Sequence, residues 1–294
     1  MRKDGKKVKM VDPMYTLAPY FMQERYDAQN MTTMDVLYEP IHEYVLDKRK
    51  EGQKISHLTV MIAAIVRTIS EYNQLNRFVM RSQIYAHNEL TCGMVVLRPN
   101  EINPSMDKVK FDLYDTIFDV DQKMTQFINK NNKEDSSNDS DKFYRKVLSM
   151  PWLVRSAMGL FRWADKHNLL PKKVIDISPF HNSFVITNLA SIRTNAIYHH
   201  VYGFGTCGFI IAMGTPKEMP VKENGEIVFK KFMPLGIVMD ERLATGVYYV
   251  KAFAKLQEYL KNPKLLEQPP VDENVNVDYK FPSLSVKFKD EVVK

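Results

Sequence analysis

Residues 184–190 read Phe-Val-Ile-Thr-Asn-Leu-Ala, residues 208–214 Gly-Phe-Ile-Ile-Ala-Met-Gly, and residues 235–246 Leu-Gly-Ile-Val-Met-Asp-Glu-Arg-Leu-Ala-Thr-Gly. The apolar runs in these stretches are short and rich in Val, Ile and Phe. They predict strands at 184–189, 209–213 and 235–239. Between the last two, Glu223-Asn224-Gly225-Glu226 has the composition of a hairpin turn. The period changes after residue 246: Tyr249, Phe253, Leu256 and Leu260 share one face of a helix expected over 247–261 and stopped by Pro263.

Working outward, Ser56 is a suitable N-cap for a helix carrying Leu58, Met61, Ile62, Ile65, Val66 and Ile69, which should end near Asn73. Met34, Leu37, Ile41 and Val45 predict another helix over 31–50, kinked or shortened at Pro40. Residues 77–98 read as strand and turn. Ile117, Val120, Met124 and Phe127 give helical spacing to 111–130. Residues 129–142 (NKNNKEDSSNDSDK) are polar and aperiodic, as in a mobile loop. Residues 147–170 are apolar and aromatic and read as an inserted helical segment, one helix or two. Trp152, Phe161 and Trp163 alternate there with Arg155, Arg162 and Lys166. That mixture fits a cap on the domain or a subunit contact, and a membrane-surface role is the alternative. Residues 269–294 alternate through Val275, Val277, Tyr279, Phe281, Leu284, Val286 and Phe288, which is arm-like or edge-strand spacing. Helices and strands mix without a strict βαβ period, so an α+β domain is expected.

Composition limits the function classes. The 294 residues carry 41 Lys+Arg against 35 Asp+Glu, a formal charge of +6, with 45% hydrophobic residues. A sizeable core is available. No run of about 18 apolar residues argues for a membrane span, and the charged start MRKDGKKVK lacks the apolar stretch of a secretory signal. The basic residues are scattered except in that start, so residues 1–14 read as a solvated basic tail and nucleic acid is not an expected partner. Cys92 and Cys207 cannot build a disulfide framework and have no metal spacing, which fits a reducing cytoplasm and no metal centre.

The quoted stretches, taken in order, resemble the catalytic domain of the 2-oxo-acid dehydrogenase acyltransferase family, which shares its fold with chloramphenicol acetyltransferase. Phe184 to Ala190 resembles the family's Phe-Thr-Ile-Ser-Asn-Leu-Gly. Gly208 to Gly214 resembles its Ala-Ile-Leu-Gly-x-Gly strand. Asp240 to Gly246 sits where Asp-His-Arg-x-x-Asp-Gly belongs, followed by a helix and Asn262-Pro263-Lys264-Leu265-Leu266. Upstream, Pro19-Tyr20-Phe21 with Asp27, Tyr72 to Asn76, and Gly93 to Val96 match in order. The resemblance spans roughly residues 15–268, interrupted over 129–175. It implies a chloramphenicol-acetyltransferase-like mixed β-sheet flanked by helices, a homotrimer with active sites between subunits, and coenzyme A or an acyl-coenzyme A as cofactor. No lipoyl-bearing segment or Ala/Pro-rich linker precedes the match, so no swinging arm of its own is expected.

Acyl transfer needs a base for the acceptor's proton and a donor for the tetrahedral oxyanion. The resemblance implies Thr187 as the oxyanion hydroxyl. Glu241 stands in place of the family's catalytic His, and Thr245 in place of its Asp. Asp240, Arg242, Gly246 and Asn188 match the structural part of the motifs. A glutamate is ordinarily about two units less basic than a histidine. The expected protein is therefore an acyltransferase relative that is weakly active or inactive in conventional acetyl transfer. The alternatives are an active enzyme with Glu241 as general base and a non-catalytic trimeric binding module. His199 and His200, a doublet in the connection before Gly208, are the other candidate bases. His42, His57, His87, His167 and His181 have no partner spacing that suggests chemistry.

Overall fold

The computed structural model describes residues 2–9, 13–96, 105–131 and 151–279. The strands among them are β1 (Gly5–Lys7), β2 (Gln29–Leu37), β3 (Arg77–Met80), β4 (Gln83–His87), β5 (Leu90–Val96), β6 (Ser105–Phe111), β7 (Phe184–Asn188), β8 (Phe209–Met213), β9 (Lys217–Glu223) and β10 (Glu226–Asp240). The helices are α1 (Pro13–Phe21), α2 (Tyr38–Lys50), α3 (His57–Glu71), α4 (Ile117–Asn131), α5 (Pro151–Lys166), α6 (Lys172–Ile177) and α7 (Gly246–Lys261). The large sheet has the order β2-β10-β8-β7-β5-β6, with β9 paired to the first half of β10. It is mixed, because β7 runs parallel to both β5 and β8. A small sheet has the order β1-β4-β3. The α+β architecture expected from the sequence is present.

The main core lies between one face of the large sheet and helices α2, α3, α4 and α7. Helix α3 is its centre, with Thr59 through Ser70 buried without a break. Its N-cap is Ser56, whose hydroxyl accepts from the Thr59 amide at 3.0 Å. The β9–β10 hairpin turns on Asn224 and Gly225, both with positive φ, as a two-residue type I′ turn requires. A smaller cluster, Val185, Val201, Cys207, Ile210 and Val238, covers part of the opposite sheet face. Cys92 and Cys207 are buried and unpaired.

Several segments differ from the sequence reading. The helix expected over 31–50 begins only at Tyr38, because residues 29–37 form β2 and pair with β10 from Asp240 to Phe232. Met34 and Val36 are buried at a two-residue period, and the three-residue step from Met34 to Leu37 crosses the strand–helix junction. Pro40 then falls in the first turn of α2, where no amide donor is needed. Lys3, Lys6, Lys7 and Lys9 are exposed, as in the expected basic tail, but the described residues at the start of the chain are anchored to the domain. β1 pairs with β4, and the buried Arg2 side chain meets Asp4 at 2.7 Å and Asp165 at 2.8 Å. Two carboxylates and the Phe78 ring, 5.0 Å from the guanidinium, replace its hydration.

The mobile loop expected over 129–142 lies in α4 as far as Asn131, and its remainder falls outside the described residues. The insertion expected over 147–170 contains α5, while residues 147–150 and the Trp152 side chain lie outside them. Residues 271–279 form no strand. Val275, Val277 and Tyr279 pack on the core, and Asp278 forms a two-pronged pair with Arg77. Residues 280–294 are outside the described set.

His87 is buried in β4, and its Nε2 lies 3.2 Å from the Thr206 carbonyl, to which it donates. Burial, reinforced by the nearby charges of Arg2 and Lys108, pushes its pKa down to about 3. The folded pKa lies below the unfolded value of about 6.5, so the unfolded chain binds the extra proton and stability falls as pH drops between these values. The expected slope from this group is about 1.4 kcal/mol per pH unit. Urea unfolding at pH 4 to 7 should give a correspondingly shallower dependence in His87→Gln. Equal slopes in the two proteins would contradict the assignment.

Candidate active site

The turn after β10 is built on charge. Asp240 is buried, and its carboxylate meets Arg242 twice, Nε to Oδ1 at 2.8 Å and Nη2 to Oδ2 at 2.6 Å. Arg25 approaches Oδ2 at 3.6 Å. Backbone carbonyls accept from the terminal nitrogens that remain: Met22 and Gln23 from Arg242, Tyr202 and Gly205 from Arg25. Burial lowers the pKa of Arg25, against the opposing attraction of Asp240. The cluster ties four segments together: residues 22–25, the end of β10, the turn itself, and residues 202–205.

Glu241 is fixed through its backbone amide, which donates to Ala28 O at 2.9 Å. Its side chain is exposed at one end of an open groove between β2 and α7, lined by Thr32, Met34, Met239, Tyr249 and Phe253. Thr245 is the N-cap of α7, and its hydroxyl accepts from the Tyr248 amide at 3.0 Å. Gly246 opens that helix, with nothing within 4 Å of where a Cβ would sit.

Thr187 belongs to a different surface. On the outer face of the sheet, register aligns Thr187 with Ala212, Gly236 and Thr33 in a row of small side chains. The backbone of residues 196–198 crosses this row. A Cβ on Gly236 would lie 2.2 Å from the Ile197 carbonyl oxygen, so only glycine admits the crossing chain. The Tyr198 hydroxyl meets that of Thr33 on the same face. Thr187 makes no side-chain hydrogen bond to a described residue. Asn188, next to it, points to the helix face, where its Oδ1 is buried without a partner among the described residues.

Thr187 and Glu241 do not meet within one chain. Thr187 is level with Gly236, five residues before Glu241 and two strands away. At about 3.4 Å per residue and 4.8 Å per strand, the separation is roughly 20 Å, with the two side chains on opposite faces. His199 and His200 follow Tyr198 along the outer edge of β2. Val201 O there accepts from Gln29 Nε2 at 3.1 Å. The two imidazoles lie 5.4 Å apart, and His200 packs edge-on against Tyr202 at 5.0 Å. They share a face with Thr187 and not with the Glu241 groove.

Two histidine constellations had no legible spacing. His42 Nδ1 and His57 Nε2 are 3.1 Å apart, with the Tyr38 hydroxyl near both. Tyr38 and His42 lie one turn apart on α2, and His57 joins them because α2 and α3 meet. Buried His181 lies 2.8 Å from the Ser178 hydroxyl through Nδ1 and 3.3 Å from Asp165 through Nε2. Among the described residues, no group of three or more His, Cys, Asp or Glu side chains could hold a metal ion. No helix among them is long and apolar enough to cross a membrane.

Residues 180–267, from just before β7 to just past α7, match the family model described as 2-oxoacid dehydrogenases acyltransferase (catalytic domain). The fold agrees over most of the chain with several solved structures. A probable dihydrolipoamide acetyltransferase from Listeria monocytogenes 4b F2365 has a TM-score of 0.56 at 11% identity, covering 87% of this chain and 94% of that one. The cubic core of the pyruvate dehydrogenase multienzyme complex has a TM-score of 0.54 at 14% identity, covering 89% and 93%. A chloramphenicol acetyltransferase has a TM-score of 0.55 at 10% identity, covering 87% and 100%. No curated protein sequence matches. The resemblance read from the motifs is therefore present: the chain has the acyltransferase catalytic-domain fold, and residues 180–267 carry the family's sequence pattern.

Proposed function

We propose that this protein is a coenzyme-A-binding, acyltransferase-fold homotrimer whose conventional catalytic centre is incomplete, leaving it weakly active or inactive in acetyl transfer. The observation that carries the reading is the separation of Thr187 and Glu241. Side chains roughly 20 Å apart on opposite faces can serve one reaction only if a second copy supplies one of them. The edge that would receive that copy exposes Met31, Ile197, Tyr198 and Tyr202. The groove beside Glu241 is apolar along its walls, with Asn30 and Gln257 as polar points, which suits a slender amide-bearing chain such as a pantetheine arm. Coenzyme A would supply the thiol that carries the acyl group.

A glutamate takes the place of the family's imidazole. Thr245, in place of its aspartate, is occupied as a helix cap. Exposure of Glu241 at the groove mouth favours one second reading, an active enzyme with Glu241 as general base. The non-catalytic trimeric binding module differs from the first reading only in having no turnover at all.

Light scattering should give about three times the 34.3 kDa chain mass. Calorimetry should detect coenzyme A binding, and thiol release from acetyl-coenzyme A should stay near background with dihydrolipoamide or chloramphenicol as acceptor. A monomer would remove the intersubunit site. Robust turnover abolished by Glu241→Gln would establish the second reading in place of the first.

A further inference from the structure

Lys108 lies on β6, on the sheet face opposite the main core and level with Gly93 of β5. Among the described residues, no carboxylate lies within ion-pair distance of its Nζ. It donates instead to two backbone carbonyls, Ile175 O at 2.7 Å and His181 O at 2.9 Å. The neighbouring lysines differ: Lys110 meets Glu89 at 3.2 Å, Lys130 meets Asp107 at 3.6 Å, and Lys172 meets Asp176 at 3.1 Å. The four lysines and the three carboxylates line one open cleft.

Burial pushes the Lys108 pKa down to about 8. Asp176, Glu89 and Asp4 oppose the shift, and Lys172 reinforces it. A neutral amine has two N–H bonds and one lone pair. With both N–H bonds directed at Ile175 and His181, the lone pair occupies the remaining tetrahedral position. The ordinary role of such a lysine is to close the C-terminal turn of α6, and Lys108 does this. What a cap does not require is a place on a solvent-open cleft with no ion-pair partner among the described residues.

We propose that Lys108 is a site of covalent self-acylation, its Nζ accepting the acyl group of an activated donor on an anionic carrier, an acyl-coenzyme A thioester or an acyl phosphate. The lone pair adds to the carbonyl carbon, and the oxyanion formed lies among the ammonium groups of Lys110 and Lys172. The C–S or C–O bond then breaks and its electron pair leaves with the thiolate or phosphate. The proton lost from nitrogen ends on that leaving group or on water, and nothing is oxidised or reduced. The amide product keeps a single N–H, so either Ile175 or His181 loses its donor. The step is stoichiometric and uses neither Thr187 nor Glu241. It can therefore fail or succeed independently of the proposed transferase site.

The test treats the folded full-length protein with acetyl-coenzyme A or acetyl phosphate in separate arms and follows acetylation of each lysine by peptide mass spectrometry. At pH 7.5 an amine of pKa about 8 is often neutral and free to attack, whereas Lys110, Lys130 and Lys172 are each held in an ion pair, so Lys108 should react about tenfold or more faster than those three. Its rate should rise with pH and level off above pH 8. Reaction in either arm supports the proposal, and the arm that reacts identifies the carrier. Lys108→Arg, which keeps a cationic cap, should lose the fast phase with an unchanged circular dichroism spectrum. If that variant fails to fold, the wild-type site map decides alone. Lys108 reacting no faster than its three neighbours with both donors would overturn the proposal.

Discussion

Replacing Asp240 by alanine is expected to lower the unfolding free energy by about 3–5 kcal/mol, the cost of breaking a buried ion pair from one side. The cause is local arithmetic. One carboxylate faces two guanidiniums, and all three groups are nearly inaccessible to water. The backbone carbonyls around Arg25 and Arg242 satisfy N–H groups but carry no full negative charge. Without Asp240, two cations share a buried site with no other carboxylate at ion-pair distance among the described residues. The variant also releases the turn that presents Glu241, because Arg242 links that turn to residues 22 and 23. Asp240→Asn keeps the shape and one acceptor oxygen and should lie between wild type and alanine. Urea unfolding at one fixed protomer concentration separates these outcomes, since the stability of the proposed trimer would depend on concentration. A loss under about 1 kcal/mol for the alanine variant would mean that water enters the cluster and screens it.

The legible parts of the fold were those in which local pattern and tertiary environment agree. Ser56, the apolar run behind it, and the Asn224–Gly225 turn combine propensity, capping and burial in one direction. The same holds for the strands around 184, 209 and 235. The sequence misled where two elements abut without punctuation. Gln29–Leu37 and Tyr38–Lys50 run together with no loop, and a three-residue step across the junction mimics a helix. Composition also misled at the N-terminus, because a buried arginine and a solvated one look alike until Asp165 arrives from 163 residues away. Thr187, Asp240, Glu241, Arg242 and Thr245 were found by motif order. Their division between two faces of the sheet is a matter of register across four strands, and no local pattern reports it. Lys108 was invisible for a related reason, since its partners are main-chain carbonyls, which every sequence has.

Thiol release from acetyl-coenzyme A is expected to rise by about 10²–10⁴-fold when Glu241→His and Thr245→Asp are combined, the range that a positioned general base contributes. Neither substitution disturbs the scaffold. Glu241 is exposed, so an imidazole enters without repacking. Position 245 caps α7, and aspartate is at least as good a cap as threonine, with its charge at the favourable end of the helix. Glu241→His alone should recover less, since nothing would then orient or charge-balance the ring. In the restored background, Thr187→Ala should lower the rate by about 10²-fold, the effect of losing one oxyanion donor worth roughly 3 kcal/mol. That loss also tests the assembly, because Thr187 can act on chemistry at residue 241 only across an interface. Mixing a restored Thr187→Ala chain with a wild-type chain should return activity once subunits exchange, as each then supplies what the other lacks. Activity recovered in the double variant but unaffected by Thr187→Ala would place the oxyanion donor elsewhere. No recovery, with coenzyme A still bound, would mean that the acyl group does not reach residue 241.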